Sequence, residues 1–466
     1  MQEYYVDTKK NNFFEYGLIF IMMQRIKIII LFIDVLQMLI KHIWSEHIWQ
    51  EQTLQWRIAH IRVSGKIAFV NLRDGTGYMQ CVIVKEIIGE EQFESLKGCG
   101  IESALSLTGE ISKHPKKEEY ELQVKNIEIL SVAKDYPLGT KEHGVEFLFD
   151  QRHLYLRSKS QRAIQRVRDT IIHATYDWMR TNDYIKIDSP IFTSTCAEDS
   201  TELYKTEHTN GETMYLSQTG QMYIEAAIAG HRNVYDFGPV FRAENSKTRR
   251  HLNELWMMDA ETAFCDNDQN MDIQESMVKF IVSEVLRLNT PELEILERDI
   301  EQLQKTVSEP FARKLHADIV TELQAMWSDI KDGEDLGADD EEILMNKYDV
   351  PMFVTNYPAD IKAFYMPEDP NHPGTVRCAD LLAPGGHGEV IGGSERIADY
   401  ETLKQKVIDQ WYDLADYQWY LDIRKYGGVT TSGFGFGLER LVRWICDLHH
   451  IRETIPFPRY HNRITP

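Results

Sequence analysis

From Gln52 to Val132 the sequence runs in short segments of period two broken by glycine, as in SGKIAFVNLRDGTGYMQCVIV (64–84) and YELQVKNIEIL (120–130). Side chains alternate across a strand, so this rhythm calls for β-structure. Ala68, Val70 and Leu72 are expected to point into a core, leaving Phe69, Asn71 and Arg73 on the outer face, with Gly75 to Gly77 as the turn. Past that turn Gln80 falls on one side of its strand and Met79, Cys81 and Ile83 on the other. About eighty residues of short strands suggest a small closed barrel such as the OB-fold, whose open face binds single-stranded nucleic acid.

The rest of the chain has a different rhythm. A polar stretch with Pro137 and Gly139, running through KEHG (141–144), reads as a linker. From Lys159 to Thr181 the residues Ala163, Ile164, Val167, Ile171 and Ile172 recur at helical spacing, so a packed helix is expected. Strands and helices then alternate with hairpin signals and no clean β-α-β order, which points to an antiparallel sheet flanked by helices. The segment 290–345 is mostly helical and acidic, ending in DGEDLGADDEE (332–342), and reads as a solvated insertion. The expected architecture is α+β: an unassigned extension over 1–48, a barrel over 49–134, a linker over 135–150 and a larger domain over 151–466.

Length agrees with this division, since 466 residues suggest two or three domains at roughly 150 residues each. The formal net charge of -22 means that the global field repels polyanions, so any nucleic-acid site must be local. Two basic clusters are candidates, one from Arg152 to Arg168 and one at Lys247, Arg249 and Arg250; charge alone favours solvated faces for both. The six cysteines are scattered with no C-x-x-C pair, which disfavours a zinc cage or a disulfide framework and fits a reducing cytoplasm. Leu18 to Ile40 is apolar, but Gln24, Arg25, Lys27, Asp34 and Gln37 interrupt it, so no membrane role is expected. A helical extension and upstream sequence from an early start codon both fit these residues.

The chemistry concentrates in FRAENSKTRRHLNELWMMDAE (241–261), which reads as strand, exposed basic loop, strand. Alternation places Arg242 and Glu244 on one face of the first strand and Leu255, Asp259 and Glu261 on one face of the second. An arginine can grip a phosphate with two N–H groups, a carboxylate can accept from an amino group, and the loop cations can reach further phosphates. On these residues alone a surface hairpin with ion pairs fits equally well. A second stretch, GFGFGLER (433–440), has glycines that permit close backbone approach and an arginine at a helix start.

Together the two stretches resemble, nearly residue for residue, the second and third signature motifs of class II aminoacyl-tRNA synthetases in their aspartyl and asparaginyl branch. Pro190 in DYIKIDSPI (183–191) stands where that class has its first motif, which forms a dimer interface. The resemblance spans roughly residues 50–466 and implies an ATP-dependent ligase that forms an aminoacyl adenylate and transfers the acyl group to tRNA. It implies that Arg242 binds the α-phosphate of ATP, Glu244 reads the adenine, His251 contacts the terminal phosphate and Arg440 packs on the nucleotide. In GEVIGGSER (388–396), Glu389 resembles the carboxylate that holds Mg²⁺ against the phosphates, and Arg396 the arginine that grips the amino acid's side-chain carbonyl. Glu198 and Gln221 resemble ligands of the α-ammonium group, and Asp259 belongs to the same amino-acid site. Homodimerisation is implied as well.

Within the branch, aspartyl enzymes carry a lysine three residues after the equivalent of Gln221, where this chain has Ile224. A neutral amide does not need that second cation, so the resemblance implies asparagine and its tRNA as substrates; the tail HIRETIPFPR (450–459) also resembles asparaginyl enzymes. Asp259 stands against this, since many asparaginyl enzymes have glutamate there. In the barrel, the resemblance implies that Phe69 stacks on an anticodon base while Gln80 and Glu121 bond base edges. Leu255 departs from the usual phenylalanine that stacks on adenine. An aspartyl ligase would share nearly all these residues except near position 224, and a non-catalytic tRNA-binding paralogue would be expected to lack Arg242, Glu389 or Arg440, all of which are present.

Overall fold

The computed structural model describes residues 38–139, 141–196, 203–245 and 248–466, so most of the apolar N-terminal run, Glu198 and Lys247 lie outside the described residues. The chain divides into two compact units, 1–143 and 144–466. In the first, strands β1 (Glu51–Ser64), β2 (Ile67–Arg73), β3 (Tyr78–Val84), β4 (Ala104–Lys113) and β5 (Tyr120–Ser131) close into a barrel in the order β1-β2-β3-β5-β4. The period-two rhythm explains the core: Ala68, Val70, Leu72, Cys81 and Ile83 are fully buried while Phe69 and Gln80 face outward. Helix α1 (Glu90–Lys97) buries Phe93 and Leu96 in the same core, each worth about 1.5–3 kcal/mol of apolar burial. The β2–β3 turn is tied by Asp74, whose carboxylate accepts from the backbone N–H of Thr76 (2.7 Å) and Gly77 (2.9 Å). Arg73, expected on the outer face, is buried there and pairs with the buried Glu102, 2.9 Å away.

The second unit is built on an eight-stranded sheet. Its strands are β6 (Ile185–Lys186), β10 (Asn233–Phe241), β11 (Glu254–Ala263), β12 (Ala312–Leu315), β13 (Met352–Thr355), β14 (Cys378–Ala383), β15 (Gly388–Arg396) and β16 (Thr431–Gly437), in the order β12-β13-β14-β15-β16-β11-β10-β6. Strands β7 (Phe192–Thr193), β8 (Lys205–Glu207) and β9 (Thr213–Leu216) form a small separate sheet. All central pairings from β13 to β10 are antiparallel. Helix α2 (Lys159–Thr181) starts where Ser158 accepts from the backbone N–H of Gln161, a cap worth about 1 kcal/mol. Its apolar stripe, with that of α4 (Asn267–Leu288), packs on Met258, Ala260, Phe434 and Phe436; α3 (Gln221–His231) lies between these helices in sequence. One sheet face is therefore covered by helices. Alternation sends Leu255, Asp259 and Glu261 of β11 to the opposite face, which carries the site.

The acidic segment 290–345 is not a solvated insertion. Apolar residues at helical spacing sit among its charges and bury Leu293, Leu303, Ile319, Leu323 and Leu344, and β12 pairs in parallel with β13. Helix α5 (Ala338–Met345) ends the segment and brings Glu341 to the site face. Two further helices flank the site, α6 (Leu414–Lys425) and α7 (Leu438–Ile445).

Candidate active site

A cavity of about 310 Å³ opens on the free face of the sheet. It is lined by all eight described residues expected to bind nucleotide or amino acid: Gln221, Arg242, Glu244, His251, Asp259, Glu389, Arg396 and Arg440. Glu198 falls among the undescribed residues.

The nucleotide end begins just past β10. The strand stops at Phe241, so Arg242 and Glu244 do not alternate on a strand as expected but sit in the loop that follows. Asn253 fixes that loop, its side-chain amide donating to the carbonyls of Arg242 (2.8 Å) and Glu244 (2.9 Å). Asn253 is in turn held by the C-terminal tail, since its backbone N–H donates to the carbonyl of Arg459 (2.8 Å). The tail thus positions two site residues, a role its sequence did not reveal. Arg242 has a buried Nε with no hydrogen-bond partner among the described residues, an unpaired donor at the cavity wall.

Glu389 reaches the cavity through a bulge. Leu381 pairs with Ile391 but Leu382 with Glu389, so β15 holds an extra residue there. Without it, Glu389 would share the helix-covered face with Ile391; the bulge turns it to the face of Gly392. A Cβ on Gly392 would lie 3.1 Å from a Glu389 oxygen and 3.5 Å from an Asp380 oxygen, so two carboxylates converge over that glycine. Arg440 donates to Glu389 (2.9 Å) and Lys362 to Asp380 (2.7 Å). Burial raises the Glu389 carboxyl, but Arg440, Lys362 and Arg242 outweigh it and hold the pKa below the usual glutamate range. Burial pushes Asp380 up to about 6 against the pull of Lys362.

Glu341 of α5 accepts from Arg250 (2.6 Å) and from the backbone N–H of Glu389 (3.1 Å), and burial with the nearby Glu389 charge pushes it up to about 7. This fit requires Gly388: at φ +71°, a Cβ there would come within 2.2 Å of Glu341 and 2.4 Å of Arg250. His251 is lowered to about 4 by burial and by Arg440, Arg242 and Arg250, so it is neutral at pH 7.

At the other end Asp259 accepts from the Thr219 hydroxyl (2.8 Å) and the Gly220 N–H (2.9 Å), and burial raises it to about 6. Arg396 lies over Tyr365, 5.1 Å from the ring centre, and pairs with Glu261 through Nη2 (2.5 Å) and Nε (3.0 Å). The glycines of 433–440 make room for this: a Cβ at Gly433 would fall 2.1 Å from Glu261 and one at Gly435 2.4 Å from Asp259. Ile224 is not a lining residue; it is buried with Ile228, Val234 and Ala263 in a separate apolar cluster. Its neighbour Glu225 instead contacts Gln221 and Arg396. Asp380, Lys362, Glu341, Tyr365 and Glu225 were missed at the level of sequence. Each is brought in by tertiary pairing and carries no local signature.

In the barrel, Gln80 and Glu121 are register partners on β3 and β5, and the Gln80 amide donates to Glu121 (3.0 Å). Phe69 pairs with Val82 and Asn71 with Gln80, so Phe69, Gln80 and Glu121 share the outer face.

Residues 144–461 match the family described as tRNA synthetases class II (D, K and N), and residues 53–130 match the OB-fold nucleic acid binding domain. The chain belongs to the class II tRNA synthetases. Among solved structures, this class II synthetase is similar to the asparaginyl-tRNA synthetase of Pyrococcus horikoshii complexed with asparaginyl-adenylate, at 36% identity and a TM-score of 0.90, over 93% of this chain and 100% of that one. It is also similar to the Entamoeba histolytica asparaginyl-tRNA synthetase in complex with asparaginyl-adenylate, at 27% identity and 0.84, over 92% and 99%. The aspartyl tRNA synthetase of Entamoeba histolytica matches at 25% identity and 0.79, over 92% and 93%. As a class II synthetase with an OB-fold barrel, the protein is an aminoacyl-tRNA ligase.

Proposed function

We infer that the protein is an asparagine–tRNA ligase, which activates asparagine with ATP and transfers it to the 3′ end of its tRNA. The observation that carries this is the charge at the amino-acid end. Arg396 is already matched by Glu261 and flanked by Glu225, so among the described residues that end of the cavity has no free cation for a substrate side-chain carboxylate but can donate to an amide carbonyl. Ile224 contributes only as an apolar core residue.

In this reading the unpaired Nε of Arg242 is a donor for the α-phosphate, Glu244 accepts from the adenine amino group, and neutral His251 takes up a terminal phosphate contact. Arg440 packs against the nucleotide. Gln221 and Asp259, with Glu198, hold the α-ammonium group. The asparagine carboxylate attacks the α-phosphorus in line; the new O–P bond forms as the bond to pyrophosphate breaks. No side chain becomes covalently attached. The chain acts by holding both substrates and by matching charge in a partly dry cavity.

Asp380 and Glu389, converging over Gly392 beside Arg242, suit a hard cation shared with phosphate oxygens, and we assign Mg²⁺ to them. When bound, it would neutralise phosphate charge during pyrophosphate release. Phe69, Gln80 and Glu121 are proposed to read the anticodon. A homodimer is supported by exposed Ile185, Ile191 and Phe192 around Pro190. All six cysteines are free and buried, which supports a reducing cytoplasm; among the described residues no helix is long and apolar enough to cross a membrane. The test is pyrophosphate exchange into ATP with asparagine and aspartate supplied separately. Exchange driven by asparagine is expected, and exchange driven by aspartate alone would refute the assignment.

A further inference from the structure

Behind the amino-acid end lies a buried network that the reaction itself does not use. Glu225 on α3, 2% exposed, accepts from the Gln221 amide one turn earlier (3.0 Å) and lies 3.9 Å from Arg396 Nε. Two residues of α6 hold it from the far side. The Tyr420 hydroxyl reaches both Glu225 oxygens (2.9 and 2.8 Å), and Arg424 Nη2 bonds one of them. Arg424 Nε also donates to the carbonyl of Ile397 (2.9 Å), the residue next to Arg396.

We propose that Arg424 is a specificity-determining positioning residue: by holding Glu225 charged and fixed behind Gln221 and Arg396, it makes the cavity select an amide over a carboxylate. The proposal rests on the asparagine reading above. Two consequences of the geometry support it. A carboxylate only accepts, so Glu225 commits the Gln221 NH₂ inward and leaves the Gln221 carbonyl as the group presented to the cavity. Arg396 and Arg424 are each paired with a buried carboxylate, Glu261 and Glu225, and the carboxylate of Asp259 stands in the same site. Asparagine adds no charge there, whereas aspartate brings a further negative charge up to Glu225 in a dry site. Without Arg424, Glu225 keeps only neutral donors and an Arg396 already engaged by Glu261. A buried carboxylate so placed takes up a proton, and a neutral Glu225 no longer opposes aspartate.

The test is the steady-state kinetics of amino-acid activation by the full chain with each amino acid, for wild type, Arg424→Met, Arg424→Lys and Tyr420→Phe. The wild type is expected to prefer asparagine. In Arg424→Met the ratio of kcat/KM for asparagine over aspartate is expected to fall about tenfold or more, with asparagine KM raised. Arg424→Lys is expected to restore most of the ratio, and Tyr420→Phe to lower it by a smaller factor. Equal losses with both amino acids, leaving the ratio unchanged, would overturn the proposal and leave the asparagine reading standing. If Arg424→Met does not fold, Tyr420→Phe decides in the same way. A wild type that activates aspartate alone would overturn the reading and the proposal together.

Discussion

Asp259 is buried between Thr219, Gly220 and the floor made by Gly435, and its pKa is raised by burial from an ordinary aspartate to about 6. A group raised on folding favours the native state fully below its unfolded value and loses that contribution as pH climbs through the folded value. The window is therefore pH 4 to 6, and the difference is on the order of 3 kcal/mol. Asp259→Asn cannot ionise, so urea unfolding should show the variant gaining on wild type as pH rises from 4 to 7; a constant difference would contradict this. At this scale the sequence located eight residues of the cavity through their motifs. It could not locate Asp380, Lys362 or Glu225, because the charged partners that hold them lie 18 to 199 positions away in the chain.

The glycine strand β16 is the element that admits two carboxylates to one sheet face. Gly435→Ala would drive a Cβ to 2.4 Å from Asp259, whereas at Gly437 the nearest atom is Leu255 Cδ1 at 3.6 Å. Adenylate formation should thus fall by about 10²-fold in Gly435→Ala, since a shift of roughly 1 Å misplaces the substrate, and change little in Gly437→Ala. Stopped-flow detection of the adenylate would separate them. In the barrel, Phe69→Ala should raise the KM for tRNA by about tenfold or more, as loss of one base stack costs about 1–3 kcal/mol, while pyrophosphate exchange without tRNA stays unchanged. Helix α2 and the strands of the barrel were legible because their apolar periods are uninterrupted. The acidic segment was misread because net charge masked the buried Leu303, Ile319 and Leu344.

For the molecule as a whole, the proposed homodimer predicts sedimentation at twice 54.4 kDa at micromolar concentration, and Ile191→Lys with Phe192→Lys should return it to monomer. A wild type found only as monomer would exclude it. The net charge of -22 keeps nucleic-acid binding local. By itself the sequence determined the division into a barrel and a larger sheet domain, because hydrophobic period is a local property of the chain. It also determined the family, because the motif glycines and arginines stand at spacings that close packing against Glu261 and Asp259 enforces. Only the tertiary structure decided that Arg242 and Glu244 sit beyond the strand end, that a bulge turns Glu389 to the site and that Glu225 backs Arg396. These depend on register and on contacts between distant segments, and the energies that fix them arise only when those segments meet.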